Sequence, residues 1–402
     1  MKKPELLAPA GNLEKLKIAI LYGANAVYIG GKEFSLRSNA SNFDIDDIKE
    51  GVIFAHANNA RVYVVVNIIF HNDNLEGLAE YLIKLEEIEV DGIICADPYV
   101  IDVAKQNTTN IEIHISTQQS IANTYAIEFY EKLGANRVVL AREIDKEDLL
   151  DIMHETDVEI EYFVHGAMCV AYSGRCMLSN YYSRRDSNRG GCSQSCRWNY
   201  NLYLDDEEKT SLTKEGVPFT MSSKDLNLSY SIPELMEMGV DSLKIEGRMK
   251  SIYYLATIVS TYRKLIDDYA DKKYNVENYD SYLEALNSAA NREVSTGFYE
   301  GAIDSSKQLY ANREEHPTKE FIGYVLDYDE KTKLVKVEQR NYFEINDKVI
   351  LFGPDKQNIK FKITKMYDEQ MQPLDIARHP QQIIYIELEQ KVAKHSMIRK
   401  VK

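Results

Sequence analysis

Short apolar runs alternate with amphipathic helical stretches over residues 5–250, and this alternation gives the first indication of the fold. Eight runs are apolar almost throughout, as in strands buried on both faces of a parallel sheet: Glu5–Ala8, Ala26–Ile29, Val62–Val66, Gly92–Cys95, Glu112–Ile115, Arg137–Leu140, Glu159–Val164 and Ser242–Ile245. Helical patterns separate them, among them Asn12–Leu21, Asp46–Ala57, Leu75–Ile88, Thr117–Leu133 and Lys146–His154. The order predicts an α/β protein with a (β/α)8 TIM-like barrel; a doubly wound open sheet is the alternative.

A long polar excursion interrupts this rhythm after the seventh strand. Residues 166–235 are rich in Gly, Ser, Asn, Arg and Cys and lack a helical pattern. Connections of this length are usually functional. Residues 251–291 return to a helical pattern, which predicts the last barrel helix and a helical appendage.

The pattern changes again from about residue 318, where apolar and polar residues alternate as in half-buried strands. Five or six short strands predict a small C-terminal all-β barrel module. The predicted domains are therefore a barrel with its cysteine-bearing loop at 1–315 and a β module at 316–402. Such a module either holds a partner or nucleic acid, or only packs against its neighbour.

Composition narrows the class of protein. Of the 402 residues, 44% are hydrophobic and 28% are charged, which excludes a disordered or fibrous chain. The longest apolar run, Val62–Phe70, is far shorter than the roughly 20 residues of a membrane-spanning helix. Residues 1–11 lack the apolar stretch of a signal peptide. We expect a soluble cytoplasmic protein without a membrane partner.

Charge is distributed unevenly. The net charge is -15, which argues against broad nucleic-acid binding, because that binding depends on clustered positive charge. From His316 onward there are 16 Lys and Arg against 13 Asp and Glu, so this segment carries about +3 and the rest about -18. We therefore expect any contact with RNA to be confined to a few parts of the protein surface.

Four of the five cysteines fall within 28 residues of the polar excursion. They follow the spacing C-x6-C-x15-C-x3-C, at Cys169, Cys176, Cys192 and Cys196. Such thiolates suit an iron–sulfur cluster or a structural zinc ion. Zinc sites usually use cysteines two to four residues apart, and only the last pair does so here. Unligated thiols packed in a loop are the third interpretation.

Polar residues follow several predicted strands, where barrel enzymes carry their working groups. They are Asn67, Ser116, Thr117, Gln118, Arg142, Glu143, His165, Glu246 and Arg248. Each of them alone is also explained as a helix cap or a rim residue. Gly30-Gly31 is weak evidence for a phosphate site. Arginines and aromatic residues of the excursion suit stacking on an unpaired base, or are simply solvated.

A family resemblance rests on several segments. EYFVHGAMC (161–169), followed by GRC at 174–176, resembles the signature of the collagenase-like "peptidase" family of unassigned mechanism. PELLAPAGN, FSLRSNASNF, RGGCSQSCRWNY, LKIEGRMKS and NREVSTGFYEG agree with it. The long members with a C-terminal β module look like prephenate-dependent tRNA uridine hydroxylases, which make 5-hydroxyuridine at the wobble position without molecular oxygen.

This resemblance implies a barrel-like catalytic domain, a 4Fe–4S cluster, prephenate as co-substrate and tRNA as partner. Zinc is the alternative metal. Carried over to this chain, the implied ligands are Cys169, Cys176 and Cys192. Some relatives take the fourth ligand from further downstream, and Cys196 is chosen here because no cysteine follows it. We expect tRNA contacts in the β module and the arginine-rich loop.

Prephenate carries two carboxylates, which call for cationic partners. The candidates for binding them are Arg37, Arg142, Lys244 and Arg248. His165 and Glu246 are the candidates for proton transfer.

Two other functions stay open at this point. The first is a collagenase-like endopeptidase, in which Cys169 and His165 would form a Cys–His pair. A thiolate bound to iron, however, cannot also be a free nucleophile. The second is a non-catalytic tRNA-binding subunit paired with a paralogous chain.

Overall fold

The computed structural model describes residues 2–36, 42–205, 207–213, 218–311 and 320–401. The strands before residue 312 are β1 (Glu5–Pro9), β2 (Ala26–Gly30), β3 (Arg61–Val66), β4 (Gly92–Cys95), β5 (Glu112–Ile115), β6 (Arg137–Val139), β7 (Glu159–Gly166), β8 (Phe219–Ser223), β9 (Asp225–Asn227), β10 (Ser242–Ile245), β11 (Val294–Ser295) and β12 (Gln308–Ala311). The helices are α1 (Leu13–Leu21), α2 (Ile45–Ala57), α3 (Leu78–Glu87), α4 (Pro98–Asn107), α5 (Thr124–Leu133), α6 (Lys146–Glu155), α7 (Leu178–Ser183), α8 (Ile232–Met238), α9 (Ile252–Ala270) and α10 (Tyr279–Ala289).

Eight parallel strands close into a barrel. Strands β1 to β7 pair in sequence order, and β10 pairs in parallel with both β7 and β1. The closing pair β7–β10 excludes the open sheet and confirms the predicted TIM-like barrel. All eight predicted strands form, because apolar residues that can be buried on both faces leave a local trace in the sequence.

Capping residues set the helix starts. Asn12, Asp44 and Asp145 each accept a hydrogen bond from a backbone N–H of the following first turn. The helix predicted over Thr117–Leu133 is wrong in its first seven residues. Residues 117–119 form a separate 3₁₀ turn, and α5 begins only after Asn123, whose side chain caps the Ala126 N–H.

The excursion after β7 is anchored to the barrel. Strand β9 pairs antiparallel with the end of β7, and β8 pairs antiparallel with β12. The short helix α7 lies in the middle of the excursion, and α8 begins at its end. The expectation that it lacks helices is therefore wrong, because both helices are too short to produce a clear periodicity.

The C-terminal part is an antiparallel half-barrel. Its strands are β13 (Phe321–Asp329), β14 (Leu334–Gln339), β15 (Phe343–Glu344), β16 (Lys348–Phe352), β17 (Asn358–Lys362), β18 (Met366–Tyr367), β19 (Ile376–Ala377), β20 (Ile383–Glu387) and β21 (Met397–Lys400). Seven of them form one sheet in the order β17-β16-β21-β13-β14-β20-β18. The predicted domain boundary at 315/316 lies outside the described residues and stays a prediction.

Aromatic contacts join this module to the barrel. Phe321 stacks on Tyr253 of α9 with ring centroids 4.8 Å apart. The Tyr22 hydroxyl donates to the His395 carbonyl at 2.8 Å. Among the described helices, none is long and apolar enough to cross a membrane.

Candidate active site at the barrel mouth

A cavity of about 240 Å³ lies at the carboxyl ends of the barrel strands. Eight of the ten predicted site residues line it: Cys169, Cys176, Cys192, Cys196, Arg142, Lys244, Glu246 and Arg248. Of the other two, Arg37 lies outside the described residues, and His165 does not line the cavity. The barrel thus brings together side chains that are more than 100 residues apart in the sequence.

The four lining cysteines are free thiols, three of them on irregular backbone and Cys196 within the 3₁₀ turn Ser195–Arg197. Cys169 follows β7, and Cys176 follows a turn in which Glu143 accepts hydrogen bonds from the Ser173 N–H (2.7 Å) and hydroxyl (2.5 Å). Burial raises the pKa of the Cys169 thiol. Burial also raises the pKa of Cys196 to about 11, against the opposing positive charge of Arg197.

The separation of the four cysteine sulfurs decides whether a single zinc ion or an iron–sulfur cluster fits them better. In the described part of the chain, no group of three or more His, Cys, Asp or Glu side chains lies close enough to hold a metal ion. One tetrahedral zinc ion needs its four sulfurs about 3.8 Å apart. A four-iron cluster offers a separate iron to each thiolate and so accepts sulfurs that are further apart. Four thiols around one cavity are a donor set that fits such a cluster.

Arg248 is buried in the cavity wall, with 4% of its surface exposed. It donates from Nη1 to the Leu36 carbonyl at 3.0 Å and from Nη2 to Asn42 Oδ1. A Cβ at Gly30 would lie 2.0 Å from Arg248 Nη2, so only glycine leaves room for the guanidinium.

The neighbouring Gly31 is also close to a side chain, because a Cβ there would lie 2.2 Å from the Tyr81 hydroxyl. The glycine pair therefore makes room for side chains, and a phosphate site at this pair stays a prediction.

The two other cations differ in their partners. Arg142 lies over the Phe163 ring, 3.9 Å from its centroid, and donates to the Ala167 carbonyl at 3.1 Å. Its buried Nε has no hydrogen-bond partner among the described residues. Lys244 donates to Glu161 at 2.6 Å, so its charge is balanced within the barrel. Arg142 and Arg248 are therefore the stronger candidates for a ligand carboxylate.

Glu246 is the only carboxylate among the described lining residues. Its Oε2 accepts a hydrogen bond from the Tyr28 hydroxyl at 2.9 Å. This places a possible proton acceptor beside the thiols and the arginines. Its role in proton transfer stays a prediction.

His165 does not line the cavity and is buried against the rings of Tyr254 and Tyr262. Its Nδ1 is 3.2 Å from the Tyr262 hydroxyl, and the Tyr254 ring centroid is 6.0 Å away. Burial lowers the pKa of His165 to about 3, so the imidazole is neutral at pH 7. Proton transfer by His165 stays a prediction, which these surroundings do not support.

Gln118, one of the strand-end residues noted in the sequence, also lines the cavity. It is buried, with 5% of its surface exposed, and neither its Oε1 nor its Nε2 has a hydrogen-bond partner among the described residues. It follows β5 closely, so the strand-end rule that selected Arg142 also points to it. Sequence alone could not show that its amide is unpaired.

Helix α7 connects the cavity to an exposed aromatic rim. Leu178 and Ser179 line the cavity, whereas Tyr181, two residues further on, has 80% of its surface exposed. Tyr182 is also exposed and packs edge-on to Trp198 at a centroid distance of 6.3 Å. Arg184 and Arg185 follow, both exposed. This rim carries aromatic faces and positive charge directly beside the cavity.

Two family models together match nearly all of the chain, and one known protein matches its whole length. Residues 11–308 match the family described as Peptidase family U32, and residues 317–399 match the Peptidase family U32 C-terminal domain. The "tRNA hydroxylation protein P1" of Bacillus subtilis is 51% identical over 403 residues, covering 100% of this chain and 96% of the relative.

Two further relatives cover less of the chain. The "23S rRNA 5-hydroxycytidine C2501 synthase" of Escherichia coli is 40% identical over 65% of this chain and 39% of the relative. The "tRNA hydroxylation protein P2" of Bacillus subtilis is 32% identical over 74% of this chain and 98% of the relative.

Proposed function

Because the chain belongs to peptidase family U32, we propose that its barrel mouth is the active site of an RNA hydroxylase that acts on tRNA. One observation carries the proposal. Among the residues that the structure describes, four free thiols, three cations and one carboxylate line the same cavity. The names of the relatives, which describe hydroxylation of tRNA and synthesis of hydroxycytidine in rRNA, supply the class of reaction.

The finer proposal is conversion of the wobble uridine to 5-hydroxyuridine without molecular oxygen. Prephenate would serve as the hydroxyl source, and a 4Fe–4S cluster as the cofactor. Cys169, Cys176, Cys192 and Cys196 would hold the cluster. Such a cluster supplies electron transfer when all four irons carry protein ligands.

The other lining residues have roles that follow from their chemistry. Arg142 and Arg248 would bind the two carboxylates of prephenate, since guanidinium groups pair with carboxylates in a bidentate geometry. Their fixed hydrogen bonds to protein carbonyls hold them in position before the ligand arrives. Glu246 would accept the proton that leaves the pyrimidine ring.

A peptidase finds less support in this site. A Cys–His nucleophile requires the imidazole to contact the thiol. The imidazole Nδ1 of His165 instead contacts the Tyr262 hydroxyl. Requirement for a paralogous partner chain is a separate proposal, supported by the two related Bacillus subtilis proteins P1 and P2. It is tested by assaying this chain alone and together with the Bacillus subtilis P2 protein.

The cluster proposal is tested by Cys176→Ala. We expect the anaerobically purified wild-type protein to be brown and to contain iron and sulfide, and the variant to be colourless. Hydroxyuridine in tRNA from a deletion strain, measured by nucleoside mass spectrometry, should return with the wild-type chain and not with the variant.

The matched control is Cys95→Ala. Cys95 is buried in β4 and does not line the cavity, so its loss should leave both colour and hydroxyuridine unchanged. Colourless wild-type protein with stoichiometric zinc would refute the cluster. Unchanged hydroxyuridine with Cys176→Ala would refute the role of the thiols.

A further inference from the structure

The unpaired amide of Gln118 is an unusual feature of the cavity wall. Gln118 is 95% buried, and the described residues offer no hydrogen-bond partner to either side-chain polar atom. Buried polar groups almost always have partners, so an amide without one in a cavity wall indicates a group that binds a ligand. The cavity that Gln118 lines is the one that contains the four thiols.

The backbone around Gln118 is held rigidly. The Ser116 hydroxyl accepts a hydrogen bond from the Gln118 N–H at 3.4 Å, and residues 117–119 form a 3₁₀ turn. Arg175 donates from Nε to the Gln118 carbonyl at 2.6 Å. Because Arg175 precedes Cys176, this bond ties the turn to the cysteine-bearing segment. The backbone that carries the amide is thus placed in advance relative to the cysteine-bearing segment.

The chemistry of an amide narrows the class of ligand. A glutamine presents a donor and an acceptor side by side. A carboxylate offers acceptors only, so a carboxylate ligand would leave Oε1 unpaired. The Watson–Crick edge of uracil presents the N3–H donor beside the O4 acceptor and satisfies both atoms of the amide.

We propose that Gln118 hydrogen-bonds the Watson–Crick edge of the target pyrimidine. The proposal rests on the proposed function and adds a residue that recognises the substrate in the same cavity. A pyrimidine held at N3 and O4 keeps its C5–C6 edge free, so the reacting carbon remains accessible. The base must leave its stack to enter the cavity, as in other enzymes that modify a base.

The test uses anticodon stem–loops that carry either uridine or 3-methyluridine at the wobble position. Methylation removes the N3–H donor. We expect the wild-type protein to bind the uridine RNA about 10-fold more tightly than the methylated RNA. Gln118→Met removes the amide at similar volume, and Gln118→Ala also makes room for the methyl group. We expect the ratio of the affinity for the uridine RNA to the affinity for the methylated RNA to fall to about 1, at least in Gln118→Ala.

The matched control is Gln119→Met. Gln119 does not line the cavity, and its Oε1 accepts from Arg175 at 2.9 Å, so this variant should keep the wild-type ratio. Gln118→Met should unfold at the same temperature as the wild type or higher, since it removes an unsatisfied buried amide. A clear loss of thermal stability would instead indicate a structural role and overturn the proposal.

The outcomes separate the two proposals. If the wild-type protein makes hydroxyuridine and both Gln118 variants keep its preference for uridine over 3-methyluridine, the role of Gln118 is refuted and the proposed function stands. If the wild-type chain, alone and with the Bacillus subtilis P2 protein, makes no hydroxyuridine from the unmethylated RNA, the proposed function itself fails. The binding ratio is measured without prephenate, so it does not depend on turnover.

Discussion

At the scale of single residues, Arg248 depends on its surroundings for its place in the cavity. Gly30 leaves the space that the guanidinium fills, and the Leu36 carbonyl accepts one of its hydrogen bonds. A buried guanidinium in a cavity wall is strongly attracted to an anionic ligand, because little water screens the charge. For the attraction of an anionic ligand, the position of Arg248 therefore matters more than the net charge of the whole chain, which is -15.

Replacing Arg248 with Met should raise the KM for prephenate and lower hydroxylation about 10- to 100-fold, which corresponds to the loss of a charged hydrogen bond. The measurement is initial rate against prephenate concentration, with RNA in excess.

Arg263→Met is the control for the loss of an arginine elsewhere. Arg263 bonds Asn25 at 3.0 Å and Asp267 at 2.8 Å and does not line the barrel-mouth cavity. An unchanged KM in Arg248→Met, or an equal rise in both variants, would contradict the assignment.

At the scale of elements, the segment around α7 presents two different surfaces. Its start faces the cavity, and its end exposes Tyr181, Tyr182, Arg184 and Arg185. Aromatic rings stack on unpaired bases, and arginines pair with phosphates. Under the proposed function, we therefore expect this segment to contact the anticodon loop.

Substituting Tyr181, Arg184 and Arg185 with Ala should weaken binding of the stem–loop at least 10-fold, since stacking on one base contributes about 1–3 kcal/mol. The slope of log affinity against log salt should also become shallower by about 1–2. Fluorescence anisotropy at several salt concentrations measures both quantities.

Phe129→Ala is the matched control, because Phe129 is an exposed aromatic side chain on α5 that does not line the cavity. It should leave RNA affinity and salt slope unchanged. Wild-type affinity in the triple variant would exclude α7 from the RNA-binding surface.

The elements themselves were largely predictable. All eight barrel strands formed as expected, because their apolar runs reflect burial on both faces. The error at Thr117–Leu133 arose because the 3₁₀ turn at 117–119 continues the helical pattern up to the cap at Asn123. Cap geometry, which the pattern does not contain, decided where the helix begins.

At the scale of the whole molecule, a buried charge network joins distant strands of the barrel. Arg137 of β6 donates to Glu5 of β1 at 2.5 Å and to Glu161 of β7 at 3.2 Å. Glu161 also accepts from Lys244 of β10 at 2.6 Å. Burial by itself would raise the pKa of Glu161, but the charges of Lys244 and Arg137 outweigh it and hold this pKa below its ordinary value.

Glu161→Gln should lower the free energy of unfolding by about 3 kcal/mol at pH 7, because it leaves buried cations without their anion. Since the folded-state pKa of Glu161 is lowered, its stabilisation is present above the ordinary carboxyl pKa of about 4.3 and is lost as the pH falls through the folded value. The difference between wild type and variant should therefore shrink on acidification below pH 4. Urea denaturation at several pH values measures it.

Glu159→Gln provides the comparison, because Glu159 contacts the same arginine at 2.7 Å while 46% of its side chain is exposed. Glu159→Gln should lower the free energy of unfolding by less than about 1 kcal/mol. The buried network would not stabilise the barrel if both variants lost the same free energy of unfolding. The same would follow if the difference between wild type and Glu161→Gln did not change with pH.

The sequence by itself determined the strands, the barrel and the clustered cysteines, because burial on two faces and close spacing are local properties of the chain. Only the tertiary structure decided which polar residues meet. Gln118, Cys176 and Arg248 lie far apart in the sequence, and closure of the barrel brings the segments that follow β5, β7 and β10 around one cavity. Tertiary packing also buried His165 away from that cavity and left the Gln118 amide unpaired, since burial and hydrogen-bond partners depend on neighbours from distant segments.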